Sequence, residues 1–276
     1  VRSAGGLHVG LQGIGLLEAA WQKADAHSKE RRQMRAPGGT AKAGEADLIE
    51  QHPAMRRILD AQRAWIDAGR VVAYRTALEL DMLKHPGDAA RRELASRSCT
   101  RVTPVLKAAL TDQAFHGASA CLQVFGGHGY VREWGIEQHV RDARVAMIYE
   151  GTNEIQAIDL LVRKVLADGG AGWCALLADL QAQTTGDAAQ ALQSVQDATH
   201  ALPPRGGAAA TRAYHVADDY LRASAIALLG WAWARISAAA PATARWQAPA
   251  RAFRDRVLPE VAMRLSIIER LQPAAA

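Results

Sequence analysis

Apolar residues recur at helical spacing along almost the whole chain, and nowhere do they alternate with the period-two signature of a strand. Leu7, Leu11, Ile14, Leu17, Ala20 and Trp21 predict a first helix from Leu7 to about Arg31, with Gly10, Gly13 and Gly15 placed along it. Small residues there allow close approach of another helix or of a ligand. Residues 1–6 carry no pattern and read as a frayed start. Residues 35–47, rich in Gly and Ala, read as a flexible loop. A helix opening at Pro53 carries Met55, Ile58, Leu59, Trp65, Val72, Leu80 and Leu83 and ends before His85-Pro86-Gly87. The next runs from about Ala89 to Phe125, with a kink expected at Pro104. Two helices this long joined by a short connection describe an antiparallel bundle.

A glycine-rich loop, Gln123-Val-Phe-Gly-Gly-His-Gly-Tyr130, follows, then a short polar segment. The stretch Arg141 to Gln156 combines two arginines, an apolar run and an acid on a Gly-Thr-Asn turn. Thr152 is placed to cap a further helix that carries Ile155, Ile158, Leu161, Val162 and Val165 and stops at Gly169-Gly170. Weaker helical patterns follow over 173–180 and 187–201. After a break at Pro203 to Gly207, further helices are expected over 211–239 and 246–271. The fold class is therefore all-α: an antiparallel helical bundle over 7–168 followed by a second small helical module over 170–276.

Composition narrows this picture modestly. Hydrophobic residues make up 49% of 276, ample for a core, yet no run approaches the roughly 18 apolar residues of a membrane span. No apolar signal-peptide core is present near the N-terminus, so a cytoplasmic protein is expected. Three cysteines, Cys99, Cys121 and Cys174, have no metal-ligand spacing and read as buried thiols of a reducing compartment. His116, His128 and His139 likewise have no metal spacing, and no metal is expected. The formal charge of +5 permits a polyanionic ligand such as a nucleotide. The basic residues are scattered rather than gathered on one face, which argues against nucleic acid as the partner.

Almost everything else being helix, the two irregular stretches are where chemistry is expected. On its own residues Glu150 reads as a solvated carboxylate at a helix start. Met147, Ile148 and Tyr149 could wall it, and partial burial would move its pKa toward that of a general base. Arg141 and Arg144 could orient this turn or form structural salt bridges. Arg31 is either a surface arginine of the basic run Lys29 to Arg35 or a ligand for an anion.

Three stretches, Glu30-Arg31-Arg32-Gln33, Gln123 to Tyr130, and Arg141 through Tyr149-Glu150-Gly151-Thr152 to Gln156, resemble in order and separation the C-terminal helical domain of the acyl-CoA dehydrogenase family. The tail beyond 170 looks like the extra helical module of the family's long-subunit, methylthiopropanoyl-CoA dehydrogenase-like branch. The resemblance implies an FAD-dependent α,β-dehydrogenation of an acyl-CoA thioester. Glu150 would be the base, with Tyr149 and Gly151 beside the substrate. Arg31, Gln33, Gln123, Gly126, Gly127, Thr152 and Glu154 would contact FAD, in part that of a neighbouring subunit. It also implies a homo-oligomer, or a partner subunit carrying the N-terminal helical and middle β domains that this chain lacks. Without the flavin-ring pocket they provide, the chain is not expected to turn over alone. An arginine that the family often places near the base falls at about Gly6, and no acid precedes Glu18, which leaves Glu150 as the candidate base. Acyl-chain length and the electron acceptor stay open. The alternative is a non-catalytic helical oligomerisation module that binds nucleotide or DNA through its arginines.

Overall fold

The computed structural model describes residues 2–84, 87–202, 207–240 and 244–271. Its elements are α1 (Arg2–Ser28), α2 (Pro53–Met82), α3 (Ala89–Phe125), α4 (Gly127–Tyr130), α5 (Glu137–Ala146), α6 (Asn153–Ile158), α7 (Ala171–Gln181), α8 (Gly186–Ala201), α9 (Gly207–Ala239), α10 (Ala244–Ala252) and α11 (Glu260–Arg270). Among the described residues there is no strand, only an isolated bridge between Arg32 and Leu48, so the chain is all-α as expected. The breaks expected at His85-Pro86 and at 203–206 lie outside the described residues.

Local chemistry sets most of the boundaries. Pro53 opens α2 at a position where its missing N–H costs nothing. The Asp88 carboxylate accepts from the Arg91 N–H at 3.0 Å and caps α3. That helix continues through Pro104 to Phe125 and ends where Gly126 takes φ 60°. Three expectations change. Residues 2–6 are helical rather than frayed, because Gly6 is pressed against Thr103 of α3. The glycine-rich loop contains a helical turn, α4. The single helix expected over 246–271 is split at a π-helical stretch, Phe253–Val257, with Pro249 and Pro259 on either side of it. A second π-helical stretch, Asp159–Val165, follows α6 directly.

The closest contact in the bundle is between α1 and α3. A Cβ at Gly13 would meet Leu110 O at 2.8 Å, one at Gly10 would meet Leu106 O at 3.1 Å, and one at Gly6 would meet Thr103 Cγ2 at 2.6 Å. These glycines recur every three or four residues and form one helix-facing stripe. Gly15 has nothing within 4 Å. Helix packing, not a ligand, therefore accounts for Gly10 and Gly13. A buried polar seam joins α1 to α2. Arg63 donates to Glu18 at 2.8 Å, pairs with Asp67 and lies 5.0 Å over the Trp21 ring.

The residues beyond 170 share the same apolar cluster as α1–α3, which runs from Leu7 to Ile268. The Trp233 indole of α9 donates to Ala64 O of α2 at 3.1 Å. Arg222 of α9 bonds Glu260 at 3.0 Å and stacks 4.4 Å over Trp65. A smaller cluster of Ala20, Ala24, Ile49, Leu59, Ala118, Cys121, Phe125 and Ile136 closes the other end of the bundle.

The glycine stripe gives opposite outcomes for one chemical change. Gly13→Ala forces α1 off α3 and should cost about 1–3 kcal/mol in urea denaturation. Gly15→Ala, on the open face, should gain ~0.5–1 kcal/mol of helix propensity.

Candidate functional site

The acidic turn lies between α5 and α6. Glu150 has φ 56° and Gly151 φ 84°, two consecutive left-handed residues, of which only the second is glycine. A non-glycine residue there costs on the order of 1–3 kcal/mol and persists only where its surroundings hold it. Here they do. Gln156 Nε2 donates to Glu150 O at 3.0 Å, and the Asn153 N–H donates to Met147 O at 3.1 Å. The Thr152 hydroxyl accepts from the Ile155 N–H at 3.4 Å and caps α6 as expected. The Tyr149 hydroxyl donates to Gln12 of α1. The Glu154 carboxylate is held below its usual range by its own main-chain N–H and the Thr152 hydroxyl, then by Arg144 and Lys107.

Glu150 itself is exposed, not partly buried. Its Oε2 lies against the start of α1, 3.8 Å from where a Gly5 Cβ would stand. Of the expected apolar wall, Met147 and Tyr149 are half-buried but Ile148 is 49% exposed, and the nearby Val145 and Ile155 are 53% and 48% exposed. An exposed carboxylate on such a turn keeps its water until another surface covers it. Arg144 lies 5.8 Å over the Phe115 ring and, among the described residues, forms no salt bridge.

Beneath the turn, Lys107 of α3 is fully buried. Its Nζ donates to Gly151 O at 2.8 Å, Asn153 Oδ1 at 2.9 Å and Met147 O at 3.4 Å. The sequence reading missed Lys107. A lysine on an α3 face flanked by Val105, Leu106 and Ala108 carries no signal of its own beyond interrupting an apolar stripe.

The second locus is a cleft of about 520 Å³ at the far end of α1 and α3, lined by Arg31, Gln33, Gln123, Gly126 and Gly127 together with Met34, Ile49, His52 and His128. Five of the expected cofactor residues, from two stretches about 90 positions apart, thus meet in one place. Added Cβ atoms at Gly126 and Gly127 would meet nothing within 4 Å, so main chain is open to an approaching group. Residues 31–34 are fixed by main-chain bonds to 47–49, including Ile49 N to Arg31 O at 2.8 Å and Asp47 N to Met34 O at 2.8 Å. The floor is aromatic: His27 stacks on Phe125 at 4.3 Å, and His128 on Trp134 at 4.8 Å. Burial, then the nearby His128 and Arg31, lowers the His27 pKa.

The 35–47 segment is ordered, contrary to its composition. Asp47 is buried and accepts from the Ala36 N–H at 2.9 Å and the Ala41 N–H at 2.8 Å, with Arg35 at 3.4 Å. Those main-chain bonds hold its carboxyl below the usual range. Thr152 and Glu154 lie with Glu150, Tyr149 and Gly151 at the acidic turn, not in the cleft. The two loci sit at opposite ends of α1, where Gly5 and Ser28 are ~35 Å apart at about 1.5 Å per residue.

Residues 5–166 match the family described as "Acyl-CoA dehydrogenase, C-terminal domain". The chain belongs to the acyl-CoA dehydrogenase family. It is 43% identical over 162 residues to a 3-methylmercaptopropionyl-CoA dehydrogenase of Ruegeria pomeroyi, covering 59% of this chain and 27% of that protein. It is 33% identical over 167 residues to the broad-specificity linear acyl-CoA dehydrogenase FadE5 of Mycobacterium tuberculosis, again 59% and 27%. The matched residues therefore span about a quarter of the length of these relatives. An acyl-CoA dehydrogenase of Bacillus anthracis, solved with FAD, superposes over 99% of this chain and 53% of its own, with a TM-score of 0.70 at 15% identity. That likeness of fold extends through the residues beyond 170. No helix among the described residues is long and apolar enough to cross a membrane.

Asp47 has a depressed carboxyl pKa, so its contribution is complete above its unfolded value and is lost as pH falls through the folded one. Amide exchange across 34–48 should accelerate as the solution is acidified below about pH 4. Asp47→Ala should reproduce that loosening at neutral pH while leaving α3 exchange unchanged.

Proposed function

We propose that the chain is the base-bearing C-terminal part of an FAD-dependent acyl-CoA dehydrogenase. The observation that carries this reading is the geometry of Glu150: its left-handed main chain is held by Gln156 and its carboxylate stands exposed, on a turn whose Val145, Ile148 and Ile155 are themselves uncovered. The Glu150 carboxylate takes the α proton of an acyl-CoA thioester. FAD, when bound, supplies the acceptor for the β hydride, so the two hydrogens leave as proton and hydride and the product is the enoyl thioester. Gly151 and Tyr149 border the thioester, and a main-chain N–H at the turn bonds the carbonyl oxygen as negative charge develops. A surface closing over Val145, Ile148 and Ile155 expels water from around the reacting groups.

The cleft residues fit the diphosphate half of FAD. Arg31 is a permanent cation, Gln33 and Gln123 offer amides, and Gly126 and Gly127 leave main chain unobstructed. With base and cleft at opposite ends of α1, one extended dinucleotide does not reach both. The cleft then serves the FAD of a second subunit, which makes the functional unit an oligomer whose other surfaces supply the flavin-ring pocket. Thr152 and Glu154 belong on this reading to the FAD beside Glu150. The division into a family domain over 7–168 and an accessory module over 170–276, and a cytoplasmic setting, are parts of the same proposal.

The test is turnover of acyl-CoA in an assembly that supplies the N-terminal and middle domains. Glu150→Gln should lower kcat by about 10²–10⁴-fold with folding intact. Full activity in that variant would overturn the assignment.

A further inference from the structure

Lysines are almost never fully buried without a paired carboxylate, yet Lys107 is 0% exposed and, among the described residues, no carboxylate oxygen lies within salt-bridge distance of it. Its three acceptors are all neutral oxygens, and all belong to the chain that bears Glu150. Met147 O precedes the acid, Gly151 O follows it, and Asn153 Oδ1 opens α6. Asn153 is fixed in turn. Its Nδ2 donates to Ala108 O at 3.1 Å, and Thr111 Oγ1 donates to its Oδ1 at 3.1 Å. Lys107 therefore grips both flanks of the strained residue, with Thr111, one helical turn on along α3, beside Asn153. The grip is closed by α1, where Gly6 leaves only 3.9 Å between an added Cβ and Lys107 Cβ.

We propose that Lys107 is the positioning residue of Glu150: its buried ammonium ties Met147, Gly151 and Asn153 together and places a positive charge beneath the Glu150–Glu154 pair. This rests on reading Glu150 as the base, but the clamp itself is a property of this chain alone. The charge answers a need the local sequence creates, because two carboxylates, Glu150 and Glu154, lie four residues apart around this turn. Burial pushes the Lys107 pKa down to about 8, and Glu154 and Glu150 pull it back up. Among the described residues, the other charged groups bearing on this cluster are Arg144 of α5, which acts on Glu154, and Asp218 of α9, which interacts with Glu154.

The test is a lysine side-chain NMR titration of this chain, with backbone amides followed in parallel. The Lys107 Cε resonance should titrate near pH 8, and the amides of 147–153 should move with the same midpoint. In Glu150→Gln, which changes only an exposed side chain, the Lys107 midpoint should fall, a shift that a merely structural lysine would not show. In Lys107→Met, exchange of the 148–152 amides should rise ~10-fold or more while α2 exchange is unchanged. If Lys107→Met does not fold, the wild-type and Glu150→Gln titrations decide alone. An unchanged Lys107 midpoint in Glu150→Gln, or turn amides indifferent to the lysine titration, overturns the proposal. If the clamp behaves as expected but Glu150→Gln retains full turnover in the assembly, the base assignment fails and the clamp stands.

Discussion

A single ammonium group held among neutral oxygens underlies the arrangement of the end of the bundle that carries Glu150. Burying Lys107 is costly unless each of its donors finds a partner. The partners it finds are two carbonyls and an amide oxygen that bracket Glu150. The hydrogen bonds between them offset both the cost of burying the lysine and the strain of the left-handed Glu150, and so specify one conformation of the turn. A fully satisfied buried polar cluster of this kind fixes geometry more sharply than apolar contacts of the same area.

The rest of the bundle gives that cluster a rigid base. Close contact of α1 with α3 through Gly6, Gly10 and Gly13 fixes the α3 face from which Lys107 and Thr111 project. The same two helices, followed to their other ends, bring Arg31 and Gln33 against Gln123, Gly126 and Gly127. One pair of helices therefore holds both loci and keeps them a full helix length apart. That separation is the physical argument for the proposal that a cofactor is shared between subunits.

Much of this was legible in the chain. Helical periodicity gave the all-α class, Pro53 and Ala89 lie at real helix starts, and the motif residues of the cleft do meet. What was not legible depended on partners distant in sequence. Lys107 looks like any lysine interrupting an apolar stripe until Gly151 and Asn153 are folded over it. The 35–47 segment has the composition of a flexible loop, but one buried carboxylate, Asp47, orders it through two main-chain N–H groups. The burial expected for Glu150 is missing because the apolar groups around it are themselves uncovered. The salt bridge foreseen for Arg144 is replaced by the Phe115 ring, a contact set by how α5 lies on α3. The last expected helix is divided because its prolines act on main-chain bonding that hydrophobic spacing does not report.

The central claim is that this chain grips a diphosphate at one end of α1 and holds a carboxylate base at the other. Backbone NMR of the chain during titration with ADP addresses it most directly. The account predicts shifts confined to 31–34 and 123–128, lost in Arg31→Ala, with residues 147–156 undisturbed. No response at millimolar ADP, or a response centred on the Glu150 turn, would contradict it.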